Sequence, residues 1–85
     1  MAHSIKYLPS AREALDALPA DIHKRAIKSI GRLKNNPRPS GCNKLTGKDA
    51  YRIRVGDYRV VYEIHDDKLI VVVIRVAHRG KVYKD

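Results

Sequence analysis

The residues best placed to do chemistry are three arginines, Arg52, Arg54 and Arg59, within the run 51–62. A guanidinium keeps its charge at any working pH and presents a planar fork of donors that matches phosphate. The run alternates apolar and polar residues on both sides of Gly56-Asp57, so it reads as a β-hairpin. With a two-residue turn, Val55 flanks Tyr58, Arg54 pairs with Arg59, Ile53 with Val60 and Arg52 with Val61. One face then carries Tyr51, Ile53, Val55, Tyr58, Val60 and Tyr62, and the other carries Arg52, Arg54 and Arg59. Like charges opposed across strands are destabilising. Two explanations stand. The face is a solvated surface with Glu63 or Asp57 as ion-pair partners, or it awaits an anion, for which phosphate is the best candidate.

A second constellation, His78-Arg79-Gly80-Lys81-Val82-Tyr83, offers an imidazole, a guanidinium and a phenol. Imidazole exchanges protons near neutral pH, and a phenol can stack on a base or pass a proton. The plainer readings are a loop histidine for His78 and a terminal core aromatic for Tyr83. Lys44 and Lys48 flank Leu45-Thr46-Gly47 and either extend a basic rim for phosphates or are simply exposed lysines. His3, His23 and His65 lack metal-ligand spacing, and neither a glycine-rich phosphate loop nor a G-x-S-x-G elbow is present. With nine carboxylates in all, two-metal phosphoryl chemistry has few ligands. Metal-free RNA cleavage suits what remains. The RNA 2′-hydroxyl is an internal nucleophile that DNA lacks, and fixed cations stabilise the crowded phosphate.

The elements that must position these groups follow from periodicity. Residues 3–7 form a plausible first strand. Ser10 and Glu13 fit a capping box ahead of a helix that carries Ala14, Leu15 and Leu18 on one face. Pro19 ends that helix and opens the next, with Asp21 in its first turn. Ile22, Ala26, Ile30 and Leu33, with Ile27 beside them, give the second helix its apolar side. Residues 35–41 are a loop, and 43–47 a short strand or extended connection. After the hairpin, 65–68 make a turn. Leu69 to Val76 reads as a strand buried on both faces, and Ala77 to Asp85 as a polar tail. The order predicts an α+β fold in which an N-terminal strand and a two-helix hairpin pack on a twisted, mostly antiparallel sheet of four to five strands. The helices take one sheet face, leaving the arginine face open to solvent.

Eighty-five residues make one domain, spanning 1–85. The formal net charge of +9 favours a polyanionic partner, whether nucleic acid or acidic protein. The single Cys42 excludes an internal disulfide and a cysteine zinc site, which points to a reducing cytosol. No apolar stretch is long enough for a membrane span, and residues 1–6 lack the apolar core of a signal peptide.

Taken together, Pro9-Ser10-Ala11, Asn36-Pro37, Lys44-Leu45-Thr46-Gly47, the run 51–62 and His78-Arg79-Gly80-Lys81-Val82-Tyr83 resemble the RelE/ParE superfamily of toxins from type II toxin–antitoxin systems. The resemblance runs nearly end to end. It implies a compact α+β fold and, for the RelE branch, cofactor-free and metal-independent cleavage of mRNA in the ribosomal A site through 2′-hydroxyl attack. It also implies cytoplasmic partners: a RelB-like antitoxin, the ribosome and mRNA, with DNA met only through a toxin–antitoxin repressor complex. Carried over by position, Arg52 and Arg54 occupy basic strand sites where related toxins often have lysine. Arg59 would stabilise the transition-state phosphate, Arg79 would assist the leaving group, and Tyr83 would stack on or orient the base. Arginine hardly deprotonates, so His78 or Tyr83 is the candidate proton acceptor, unless orientation alone suffices. The C-terminal helix of some relatives is expected to be missing or very short. Two other classes remain open at this point: a ParE-type gyrase inhibitor without nuclease activity, and a non-catalytic RNA- or ribosome-binding module. Arg59, Arg79 and Tyr83 favour the nuclease.

Overall fold

A computed structural model describes residues 2–45 and 50–78. Lys48, Arg79 and Tyr83, all singled out above, lie outside the described residues, as do Thr46 and Gly47. The chain runs β1 (Ser4–Tyr7), α1 (Pro9–Asp16), α2 (Ala20–Arg32), β2 (Asn43–Lys44), β3 (Ala50–Val55), β4 (Tyr58–His65) and β5 (Ile70–His78). The strands form one five-stranded sheet in the order β1-β5-β4-β3-β2. Only the β1–β5 pair is parallel; every other pair is antiparallel. The predicted α+β architecture is the observed one.

The start of α1 differs from expectation. Leu8 takes the N-cap position in extended backbone, with no side-chain cap, so Ser10 lies inside the first turn and the capping box does not form. Two constraints set this. The Leu8 amide donates to the Val73 carbonyl at 3.0 Å, which holds Leu8 beside β5. Pro9, with its fixed φ and missing N–H, is already shaped for the first helical position. Pro19 opens α2 as expected, with Asp21 in the first turn.

Both helices cover the same sheet face, α1 over β5 and α2 over β3. Ala11, Leu15, Ala26, Ile30 and Leu33 meet Ile53, Val55, Val60, Tyr62, Val71, Val73 and Val76 in the main core. Burial of each valine, leucine or isoleucine side chain there contributes ~1.5–3 kcal/mol. Ile27 is turned away from the core and is 40% exposed, because it sits a step off the Ala26–Ile30 stripe.

Two further expectations are corrected. β5 is buried on the helix side only: Val71, Val73 and Val76 are buried, whereas Ile70, Val72 and Ile74 are half-buried. It also continues through Ala77 to His78, so the first two residues of the expected tail belong to the strand. The arginine face is not simply open. Leu45, Ala50 and Val61 form a second small core there with Ile74 packed against it, and Val61 is 3% exposed.

A polar cluster pins the 33–42 loop that leads into β2. The Tyr62 hydroxyl donates to the Pro37 carbonyl at 2.8 Å. Burial, with Cys42 beside it, pushes that phenol above its usual range, so it stays a donor. Arg38 donates to the Tyr51 hydroxyl at 3.2 Å and to Asp66 at 2.9 Å, and lies 5.3 Å from the centre of the Tyr51 ring. His3 approaches the other Asp66 oxygen at 3.3 Å. Hydrogen bonds from Arg38, then His3, hold the Asp66 carboxyl below the usual carboxylate range.

Candidate functional site

The hairpin forms in the predicted register. Val55 faces Tyr58, Arg54 faces Arg59, Ile53 faces Val60 and Arg52 faces Val61. Gly56 takes the positive φ of +59° at the first turn position, the pattern of a type II′ turn, which suits the twist of a two-residue hairpin. The turn is also close-packed, since a Cβ on Gly56 would lie 3.1 Å from the Ile22 side chain.

In a two-residue hairpin the closing pair, here Val55 and Tyr58, exchanges the backbone hydrogen bonds. The next pair does not, and its Cα atoms approach to ~4.5 Å. Arg54 and Arg59 are that next pair. Two permanent charges therefore sit at the closest spacing a sheet allows. Arg54 is exposed and Arg59 half-buried. The Arg59 Nε is buried and has no hydrogen-bond partner among the described residues. Neither of the acids weighed as ion-pair partners meets Arg54 or Arg59 there; Glu63 pairs with His65 at 3.1 Å.

A fourth guanidinium completes the face. Val61 is opposed by Arg52 on one side and by Arg75 on the other, so Arg52, Val61 and Arg75 form one row across three strands. With strands ~4.8 Å apart, the two arginines stand about 10 Å from each other at the backbone, on either side of a buried valine. Sequence reasoning missed Arg75. Its signal was its position as the lone charge in the apolar stretch 69–76.

The other predicted residues are placed differently. His78 faces Tyr58, which shares its side of the sheet with Val55 and Val60. The His78 and Tyr58 rings meet edge to face with centroids 5.0 Å apart. The imidazole thus belongs to the helix side of the sheet, across from the arginines. Lys44 faces Tyr51 and leaves the short edge strand on that same side, away from Arg52 and Arg54. Arg52, Arg54 and Arg59 are brought together; His78 and Lys44 do not join them.

Such a site can grip a phosphodiester from several directions. Sheet pairing fixes the backbone that carries its donors, and Val61 gives it an apolar floor.

The family profile described as "ParE toxin of type II toxin-antitoxin system, parDE" matches residues 5–83. The chain belongs to this toxin family. Its relatives include Toxin RelG of Mycobacterium tuberculosis, 31% identical, with 99% of each chain covered. The mRNA interferase toxin RelE of Escherichia coli K12 is 30% identical over 100% of this chain and 94% of its own length. Among solved structures, the archaeal RelE–RelB complex from Pyrococcus horikoshii OT3 matches with a TM-score of 0.81 at 27% identity, covering 96% of this chain and 100% of that one. The protein is thus a RelE-like toxin of the type II class, and its hairpin arginines sit on a RelE-type sheet.

Proposed function

We propose that this toxin is an endoribonuclease that cuts mRNA in the ribosomal A site without a metal ion. The observation that carries the reading is the opposed Arg54–Arg59 pair, with a buried Arg59 Nε that lacks a partner among the described residues. A phosphate between those guanidinium groups would turn repulsion into attraction. The similarity to a protein named mRNA interferase toxin RelE supports the same reading.

In the proposed reaction the 2′-oxygen attacks the neighbouring phosphorus. The O2′–P bond forms, the P–O5′ bond breaks, the 2′-proton is lost and O5′ gains a proton. Arg52, Arg54 and Arg59 hold the non-bridging oxygens and stabilise the extra charge of the transition state. Arg79 and Tyr83 are assigned to the leaving group and the base. With the His78 ring set against Tyr58, the reading takes orientation by the cations, or Tyr83, as the means of activating the 2′-hydroxyl. The reading includes a cytoplasmic setting and a RelB-like antitoxin, a partner that the RelE–RelB complex of the archaeal neighbour supports, and that antitoxin would cover the basic face.

Mapping of RNA 3′ ends after induced expression tests the proposal. New ends at A-site codons are expected with the natural chain and should vanish with Arg59→Ala. Intact mRNA together with accumulated cleaved gyrase–DNA complexes would overturn it.

A further inference from the structure

Around the edge of β3 from the arginine face lies a groove of about 490 Å³, walled by α2 and by the loop before β2. Ser29, Arg32, Ser40, Gly41, Asn43 and Arg54 supply its polar lining, Ile53 and Pro39 its apolar part, and no acidic residue among the described residues lines it.

The sheet register adds a backbone donor. The Leu45 amide donates to the Ala50 carbonyl at 2.9 Å, and Asn43 faces Arg52. Residues 50 and 52 therefore direct their peptide groups toward β2, and by the period of two so does 54. β2 begins only at Asn43, so the peptide of Arg54 points past its start, toward the groove. Neither the Arg32 nor the Arg54 side chain makes a hydrogen bond or ion pair among the described residues. Arg54 belongs to both places: its strand position puts it on the arginine face, and it lines the groove.

We propose that this groove is a second phosphate subsite, which holds a phosphodiester of the same RNA strand one or more nucleotides away from the bond on the arginine face. The inference rests on the ribonuclease reading above and deepens it. The strand would pass over the β3 edge at Arg54 and place its next phosphate against Arg32, the Arg54 amide and the serine hydroxyls. A volume in the range of small-ligand pockets accommodates a nucleotide. The arginines and the outward amide set the charge and geometry, while Pro39 and Ile53 offer an apolar surface to sugar or base.

Nuclear magnetic resonance titration of the full ¹⁵N-labelled chain tests this with three probes: a fully 2′-O-methylated RNA hexamer, inorganic phosphate and polyglutamate. The RNA should shift the backbone amides of Gly41, Asn43 and Arg54 together with those of Arg52 and Arg59. Inorganic phosphate should reach the same groove amides more weakly. Arg32 is exposed, so Arg32→Ala should fold normally, weaken hexamer binding ~5–10-fold and lower the slope of log K against log salt by about 1. Arg32→Glu should weaken it further. Both variants should raise the KM for mRNA cleavage and leave kcat unchanged. RNA shifts confined to Arg52, Arg59 and Arg75, or no shift at all, would overturn the groove, and so would an Arg32→Ala chain that binds normally. None of these would touch the cleavage reading, which RNA-end mapping decides separately. Occupation of the groove by polyglutamate in preference to RNA would overturn the assigned ligand.

Discussion

Arg54 and Arg59 face each other across β3 and β4, where a neutral pair would make a more stable sheet. That conflict separates folding from activity. Arg59→Ala should lower A-site cleavage ~100-fold or more, the usual cost of removing one preorganised donor from a charged transition state. The same change should leave the thermal midpoint of the isolated chain unchanged or raise it, through a gain of ~0.2–1 kcal/mol from relieved cross-strand repulsion. Single-turnover cleavage on stalled ribosomes and thermal unfolding of one preparation would show the two effects moving in opposite directions. His78 gives the contrasting case. Its ring meets Tyr58 on the helix side of the sheet, so His78→Ala should change the cleavage rate by no more than a few-fold while costing ~0.5–1.5 kcal/mol of aromatic contact. A large rate loss at constant stability would return the imidazole to the reaction.

The hairpin holds this site, and its turn is the element most sensitive to a small change. Gly56→Ala imposes a side chain on a φ of +59° and sets its Cβ 3.1 Å from Ile22. Denaturant unfolding should show a loss of about 1 kcal/mol or more, with cleavage falling as the arginine pair loses register. The hairpin was also the most legible part of the chain. Gly56-Asp57 marks the turn, and the alternating residues on each side leave one register that buries Ile53, Val55 and Val60 together. The rest of the site depends on pairing between strands far apart in sequence, which no local pattern fixes. Arg75 reaches the face because β4 pairs antiparallel with β5, and a register shift lies between Val61 and Tyr62. The side taken by His78 follows from the same pairing. The missed helix start has a similar cause: a tertiary hydrogen bond from Leu8 to β5 prevails over the Ser10 capping signal.

At the scale of the molecule, acids are half as numerous as bases, nine against eighteen, so each well-placed carboxylate matters. Asp66 joins the turn after β4 to Arg38 in the loop before β2 and to His3 before β1. Its folded pKa is depressed, so its stabilising effect is present above the ordinary carboxylate pKa of ~4 and is lost as pH falls through the lower folded value. The natural chain should therefore lose stability relative to Asp66→Asn across that acid interval and keep its advantage at neutral pH, as thermal midpoints from pH ~2 to ~7 would show. The parallel pairing of β1 with β5 has a further consequence, for the timing of synthesis. Ser4–Tyr7 bond to residues 70–73, so the first strand waits for β5 before the sheet can close. Contacts of such sequence separation form late and bear the full cost of loop closure. A nascent chain that ends before Ile70 should show no cooperative unfolding by circular dichroism. The cationic face, which needs β5 for Arg75, would then appear only after residues 70–78 have been made, and a product terminated before them would be inert.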